Sequence, residues 1–287
     1  MNKIISKSRL SETVFRFEVE APLIAKARRP GQFIILMADA EGGERVPLTI
    51  ADADVARGTI TLIFQAVGAT TIKLSRLEAG DCIPAVLGPL GRPTSIRGEK
   101  GTPTGRVVCV GGGIGVAPLY PIAQAMKAAG NELTVIMGAR TKSLFVMEDE
   151  MRALAGERLI LMTDDGSVGR KGLVTEPLKE LCAAGGIDEV IAIGPPIMMK
   201  FCSLTTKPFG VKTTVSLNTI MIDGTGMCGG CRVSVGGQTK FVCVDGPEFD
   251  GHQVDWDQMA QRMGTYRELE LKAKEHVCNL DKMAGLA

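Results

Sequence analysis

Between Arg106 and Lys127 the chain carries no charged side chain, and this one stretch narrows what the rest can fold into. An uncharged run of this length is either a membrane span or the buried centre of a sheet with its first helix. The residues point to the second. The stretch holds four glycines, two prolines and a glutamine, and its core reads VVCVGGGIGVAP over Val107–Pro118. A short apolar run that enters a glycine turn and then a helix start is a strand, a turn and a helix. Similar units follow: strands over Leu133–Met137, Leu159–Met162 and Glu189–Ile193, with helices over Pro118–Ala129, Phe145–Leu154 and Val174–Leu181. This alternation predicts a parallel-sheet α/β domain over residues 103–210.

The flanks have a different rhythm. Residues 1–102 hold short alternating or apolar runs, Thr13–Glu20, Gln32–Met37, Val46–Ala51 and Thr59–Ala66, punctuated by Pro30-Gly31 and Gly80-Asp81. Evenly spaced strands with turn signals predict an antiparallel β-barrel. Residues 211–256 return to glycine-rich strands around clustered cysteines. Residues 257–287 are C-terminal helix, starting from Trp256–Glu275 with Asp255 as N-cap. The expected fold class is a β-barrel plus α/β, with a small third module.

Charge excludes several functions. Thirty-three basic and thirty-two acidic residues leave a net charge of +1, with no basic stripe for nucleic acid. One Trp and two Tyr give no base-stacking platform. The opening MNKIISKSRLSETVF lacks an apolar core long enough for a secretion signal, so the chain is expected in the cytoplasm with no membrane span. Eight cysteines in a reducing compartment suggest metal chemistry where they cluster. Cys82, Cys109, Cys182, Cys202 and Cys278 lie scattered among apolar neighbours and are expected to pack.

The absent side chains of Gly111, Gly112, Gly113 and Gly115 allow a pyrophosphate to approach the backbone at a helix N-terminus. Gly194, Pro195 and Met198, in AIGPPIMMK, form either a second loop of the same crevice or an ordinary turn. Asp164 and Asp165 follow a strand end, where carboxylates repel a 2′-phosphate and accept from a 2′-hydroxyl; this favours NAD(H) over NADP(H), while Arg140 and Lys142 argue the other way. In ERVPLTIAD, Arg45 suits a diphosphate and Thr49 a flavin edge, although Arg45 also fits a solvated edge charge. Gly68, Thr70 and Thr71 open a helix and offer a second anion site.

Asp223, Cys228, Cys231 and Cys243 are spaced D-x4-C-x2-C-x11-C. With Cys in place of the Asp, this is the frame that holds a 2Fe–2S cluster in plant-type ferredoxins. Gly224, Gly226, Gly229 and Gly230 let the backbone wrap tightly and aim N–H groups at sulfur. Zinc would require a second pair of soft ligands, and neither His252 nor His276 falls at a finger spacing. A structural disulfide is a further alternative, though such bonds are rare in a reducing compartment. Asp223 is either the fourth ligand or a turn residue capping its own backbone.

In order along the chain, R-V-P-L-T, GGGIGVAP, GPPIMM and the cysteine frame resemble the ferredoxin–NADP reductase superfamily over nearly the whole length. The C-terminal module looks like that of dihydroorotate dehydrogenase electron-transfer subunits. The resemblance is closest to the small (alpha) subunits of NADH-dependent reduced-ferredoxin:NADP oxidoreductases, also known as sulfide dehydrogenase subunits. RVPLTIAD, TDDGSVGRKG and DGTGMCGGCRVSVGG carry it, and Asp in place of the first Cys marks this branch. The resemblance implies FAD held by Arg45, Pro47, Leu48 and Thr49 with Gly68, Thr70 and Thr71 near its diphosphate. It implies NAD(H) on Gly111–Gly115, reaching Gly194–Met198, and a 2Fe–2S cluster on Asp223, Cys228, Cys231 and Cys243. It also implies a larger partner carrying flavin and 4Fe–4S clusters, which reaches ferredoxin and bifurcates electrons. The alternative is a dihydroorotate dehydrogenase electron-transfer subunit. No acid–base side chain is required by either.

Overall fold

The computed structural model describes residues 2–41, 43–99 and 101–283, with side chains as far as Asn279. Residues 284–287 of the expected C-terminal helix lie outside the described residues. The N-terminal sheet contains β1 (Asn2–Arg9), β2 (Val14–Glu20), β3 (Phe33–Met37), β4 (Arg45–Asp54), β5 (Thr59–Gln65), β6 (Cys82–Ile83) and β7 (Ala85–Leu90). Alternation in β2 puts Phe17 and Val19 inside, and Phe17 meets Phe64 of β5 edge-on at 5.0 Å. The strand order is β6-β1-β2-β5-β4-β3-β7. Only Pro84 separates β6 from β7, so the two edges of this sheet are drawn together and the sheet must roll up. Helices α1 (Pro22–Ala27) and α2 (Ala69–Arg76) belong to this half.

β3 is buried on both faces, as its unbroken apolar sequence FIILM requires. Ile34 and Leu36 join the barrel core, whereas Phe33 and Ile35 join the core beneath the C-terminal module.

The second sheet contains β8 (Arg106–Gly112), β9 (Glu132–Ala139), β10 (Leu159–Thr163), β11 (Arg170–Lys171), β12 (Glu189–Ile193) and β13 (Lys212–Ser216). Helices α3 (Val116–Ala128), α4 (Glu148–Ala155), α5 (Thr175–Ala184) and α6 (Pro196–Thr206) cover it. The uncharged stretch is thus β8 and most of α3, and no described helix is long and apolar enough to cross a membrane. The order is β11-β10-β9-β8-β12-β13, with all these neighbours parallel. Successive strands are added to one side of β8 up to β11 and then to its other side from β12, and a crevice opens at the carboxyl ends of strands at such a switch point. β13, just after residue 210, runs parallel beside β12 and is followed by the cysteine loop.

The C-terminal part is stitched onto both halves. β14 (Arg232–Val235) and β15 (Gln238–Phe241) form a hairpin turned by Gly236 and Gly237, both at positive φ. After the short α7 (Val242–Asp245), β16 (Glu248–Asp250) adds to β13 antiparallel. The single polar helix expected from Trp256 is two, α8 (Trp256–Met263) and α9 (Arg267–Met283), because the chain breaks at Gly264. Asp255 caps α8 by accepting from Gln258 N–H at 2.9 Å. α9 crosses back to pack on α2. Cys109, Cys182 and Cys202 are buried as expected, but Cys82 is exposed on the edge strand β6 and Cys278 is half-buried on α9.

Candidate functional site

The loop before β14 bends through Gly224, Gly226 and Gly229, all at positive φ. Asp223 shapes its start: one carboxylate oxygen accepts from Thr225 N–H at 2.9 Å and the other from Cys228 N–H at 2.7 Å. Those bonds, Thr225's first, hold its pKa below the usual carboxylate range and favour the ionised form. Cys231 and Cys243 are buried with their sulfurs 3.3 Å apart. Cys228 is exposed on the rim with Ile222 and Met227. Gly230 N–H points at Cys228 Sγ and Cys243 N–H at Cys231 Sγ, each at 3.4 Å.

Burial, then the neighbouring Cys231 thiol, pushes Cys243 up to about 12. A buried thiol pair of this kind becomes thiolate when a cation sits between the sulfurs. Among the described residues no three of the candidate ligands converge as a metal-holding group: Cys231 and Cys243 are brought together at their sulfurs, while Asp223 meets Cys228 at its backbone N–H, and the set of thiols plus one carboxylate is chemically that of an iron–sulfur group. Donor type and sulfur-directed N–H groups fit the 2Fe–2S group.

This loop rests on the barrel. A Cβ on Gly224 would lie 2.6 Å from Ile35 Cδ1 and 2.7 Å from Leu90 Cδ1. Ile35 pairs with Pro47 and Phe33 with Thr49, so Pro47 and Thr49 share the outer sheet face with the side chains under the loop. Val46 and Leu48 pack toward the barrel core, and Arg45 is exposed. Glu44 accepts from Thr70 Oγ1 at 2.5 Å, which ties the start of β4 to the N-terminus of α2. Thr71 Oγ1 accepts from Gly68 N–H at 3.0 Å, so it caps α2 rather than pointing outward.

The sheet brings the two glycine loops together. A Cβ on Gly115 would meet Ile193 O at 2.4 Å and Gly194 Cα at 2.7 Å, and one on Gly112 would meet Met198 Sδ at 2.4 Å and Pro195 at 3.0 Å. Pro196 is the first residue of α6, so GPPIMM turns a strand into a helix directly beside Gly111–Gly115. Asp164 and Asp165 sit at the end of β10, exposed. Ser167 donates to Asp165, which keeps that carboxyl below its ordinary range, and Lys142 N–H donates to Ser167 Oγ. The loops after β9 and β10 therefore form one rim.

Sequence reasoning missed Arg232 and Arg262, whose guanidinium groups reach the carbonyls of Gly229 and Gly230. It also missed Glu248, which accepts from Thr94 Oγ1 at 2.5 Å. Arg262 follows Gly230 by thirty-two residues, and only the docking of α8 brings it there.

A rolled antiparallel sheet, a parallel sheet with a glycine crevice at its switch point, and a cysteine loop between them are the parts of a ferredoxin-reductase-like electron-transfer oxidoreductase. Residues 109–203 match the oxidoreductase NAD-binding domain, and residues 218–255 match the iron–sulfur cluster binding domain of dihydroorotate dehydrogenase B. The chain is 48% identical over 270 residues to the dihydroorotate dehydrogenase B (NAD(+)) electron transfer subunit homolog of Thermotoga maritima, spanning 94% of this chain and 93% of that one. It is 32% identical over 261 residues to the electron transfer subunit of Desulforamulus reducens, spanning 89% and 97%. A solved chain of the NADH-dependent reduced ferredoxin–NADP oxidoreductase, studied for flavin-based electron bifurcation, superposes with a TM-score of 0.89 at 47% identity, over 96% of this chain and 97% of that one. The chain belongs to the family of dihydroorotate dehydrogenase B electron-transfer subunits and their homologues. Its relatives are named as subunits, parts of larger enzymes.

Proposed function

We propose that this chain is the small electron-transfer subunit of a heteromeric, electron-bifurcating NADH-dependent ferredoxin:NADP oxidoreductase. It exchanges hydride with NAD(H) and single electrons with a larger subunit that carries flavin and 4Fe–4S clusters and serves ferredoxin. Residues 1–102 hold FAD, 103–210 the nucleotide and 211–256 the cluster, with 257–287 as a helical brace. Its eight free cysteines suit the cytoplasm.

When bound, flavin supplies the conversion between two-electron hydride transfer and one-electron steps, and the cluster supplies one-electron storage. The chain's own residues provide binding and seclusion. Arg45, Pro47, Leu48 and Thr49 present the flavin strand, and Gly68, Thr70 and Thr71 frame the diphosphate end. Gly111, Gly112, Gly113 and Gly115 face Gly194, Pro195 and Met198 across the nucleotide crevice. Asp164 and Asp165 stand where a free 2′-hydroxyl is accepted and a 2′-phosphate repelled. Asp223, Cys228, Cys231 and Cys243 ligate the cluster.

The observation that carries this reading is the seat of the Gly224 loop on Ile35 and Leu90. Ile35 lies one strand away from Pro47, and neighbouring strands are about 4.8 Å apart. Cluster loop and flavin strand are therefore adjacent, and apolar side chains exclude water between them.

An anaerobic titration of the loaded chain with NADH and with NADPH, followed in the visible spectrum, tests it. Flavin bleaching by NADH at concentrations at least about tenfold lower than by NADPH is expected, equivalent to roughly 1.4 kcal/mol. Preference for NADPH would overturn the roles given to Asp164 and Asp165. The match to the dihydroorotate dehydrogenase B domain favours a second reading, service to a dihydroorotate-oxidising partner, and co-purification with such a subunit would select it.

A further inference from the structure

We infer that Arg262, reaching in from α8, is a positioning residue for the cluster loop, and that with Arg232 it supplies the positive charge that favours the reduced cluster. This rests on the assignment of Asp223, Cys228, Cys231 and Cys243 as cluster ligands.

Gly229 and Gly230 are the two residues between Cys228 and Cys231. Both of their carbonyls are taken by guanidinium groups: Arg232 Nη1 donates to Gly229 O at 3.0 Å, and Arg262 Nη2 donates to Gly230 O at 3.1 Å. The Gly229 carbonyl held by Arg232 shares its peptide plane with Gly230 N–H, which points at Cys228 Sγ at 3.4 Å, and Arg262 holds the following peptide, so the two arginines together fix both peptides of the turn that leads into Cys231. A released glycine turn can rotate its peptides and present oxygen, not N–H, to the sulfur. N–H donors stabilise the more negative, reduced state of a thiolate-ligated cluster, and oxygen does the reverse.

Arg262 is fixed from its own side as well. Asp255 caps α8, Gln258 accepts from Ser234 N–H of β14 at 2.9 Å, and Met259 is buried against the hairpin. Among the described residues, neither guanidinium has a carboxylate within ion-pairing distance. Two uncompensated positive charges therefore flank the loop. Reduction adds one electron and breaks no bond, so it adds one negative charge that these groups attract.

The test is an EPR-monitored redox titration of the full cluster-loaded chain, with dithionite as reductant. At the potential where half of the native cluster is reduced, Arg262→Ala is expected to lower the reduced-to-oxidised ratio about tenfold, 59 mV for a one-electron couple, and to move the g-values. Arg262→Gln keeps a donor and loses the charge, so its ratio falls while its g-values stay. Arg262→Lys keeps the charge and most of the ratio. Arg232→Gln, on the surface, lowers the ratio by a smaller factor. If Arg262→Ala does not retain iron, Arg262→Gln and Arg232→Gln carry the same directions. Ratios within twofold of native in the loaded variants, or a rise, overturn the inference. A native chain that takes up no iron fails the cluster assignment itself, whereas a loaded chain indifferent to residue 262 fails only this inference.

Discussion

Asp223 accepts from Thr225 and Cys228 through different oxygens, which a cysteine at that position cannot do. Its carboxylate can still offer a lone pair to iron, since each oxygen carries two. Thiolate and carboxylate have the same charge but differ in softness. Asp223→Cys is therefore expected to keep the cluster, because the glycines that bend the loop are untouched, and to shift its potential by about 59 mV, a tenfold change in ratio. An unchanged potential and EPR spectrum would mean that the carboxylate only turns the loop. The bend of the loop that carries Asp223, Cys228 and Cys231 was legible because its information is local: Gly224, Gly226 and Gly229, all at positive φ, turn the backbone there. Arg262 was not legible, because its role depends on how α8 rotates against β14, and no spacing rule encodes that. Likewise, nothing in VPLT shows that Leu48 packs inward beside Val46 while Pro47 and Thr49 face out; that depends on register with β3.

At the scale of elements, the crevice depends on how closely β8–α3 and β12–α6 approach. The two glycines there differ in what a methyl group would strike. At Gly115 it meets backbone, Ile193 O and Gly194 Cα, which can yield only by parting the strands. At Gly112 it meets Met198 Sδ, the end of a flexible side chain. Overpacking costs about 1–3 kcal/mol. Gly115→Ala should accordingly raise the NADH concentration for half-maximal flavin reduction by about tenfold or more and leave the cluster EPR unchanged. Gly112→Ala should have a smaller effect, and Met198→Ala in the same chain should relieve it. Rapid-mixing traces of flavin bleaching measure both, and equal effects would refute the distinction. The strand–helix alternation was readable because parallel strands are buried on both faces and become continuous apolar runs. The polar C-terminal helix was misjudged in length, since polar residues carry no packing signal and Gly264 alone marks the break. Cys82 was misplaced because apolar neighbours in sequence do not decide which face of an edge strand is covered.

At the scale of the whole molecule, the three parts meet around Glu248. It starts β16 on the edge of the parallel sheet, five residues after Cys243, and its carboxyl accepts from Thr94, in the segment joining the barrel to the second sheet. Gly31 of the barrel leaves the space it occupies: a Cβ there would lie 2.8 Å from Glu248 Oε1. The charged groups facing it are Glu189 and Lys212, which pair with each other at 2.7 Å. Burial, chiefly, and repulsion by Glu189 push Glu248 up to about 7, against the bond from Thr94 and the attraction of Lys212. A carboxyl raised in this way stabilises the fold fully below its ordinary value of 4.5, and that stability is lost as pH rises through about 7. The loss is at most ~3 kcal/mol at 1.36 kcal/mol per unit, less to the extent that part of the residue touches solvent. Glu248→Gln keeps an acceptor for Thr94 and removes the titration. Denaturant midpoints of the loaded protein at pH 5 and pH 8 should converge in this variant, whereas the native chain should be measurably weaker at pH 8. Parallel pH dependence in the two proteins would show that the junction is insensitive to this carboxyl. Convergence would show that the seam among barrel, nucleotide sheet and cysteine loop is weakened when this carboxyl ionises in its buried place beside Glu189, even though the bond from Thr94 favours the ionised form.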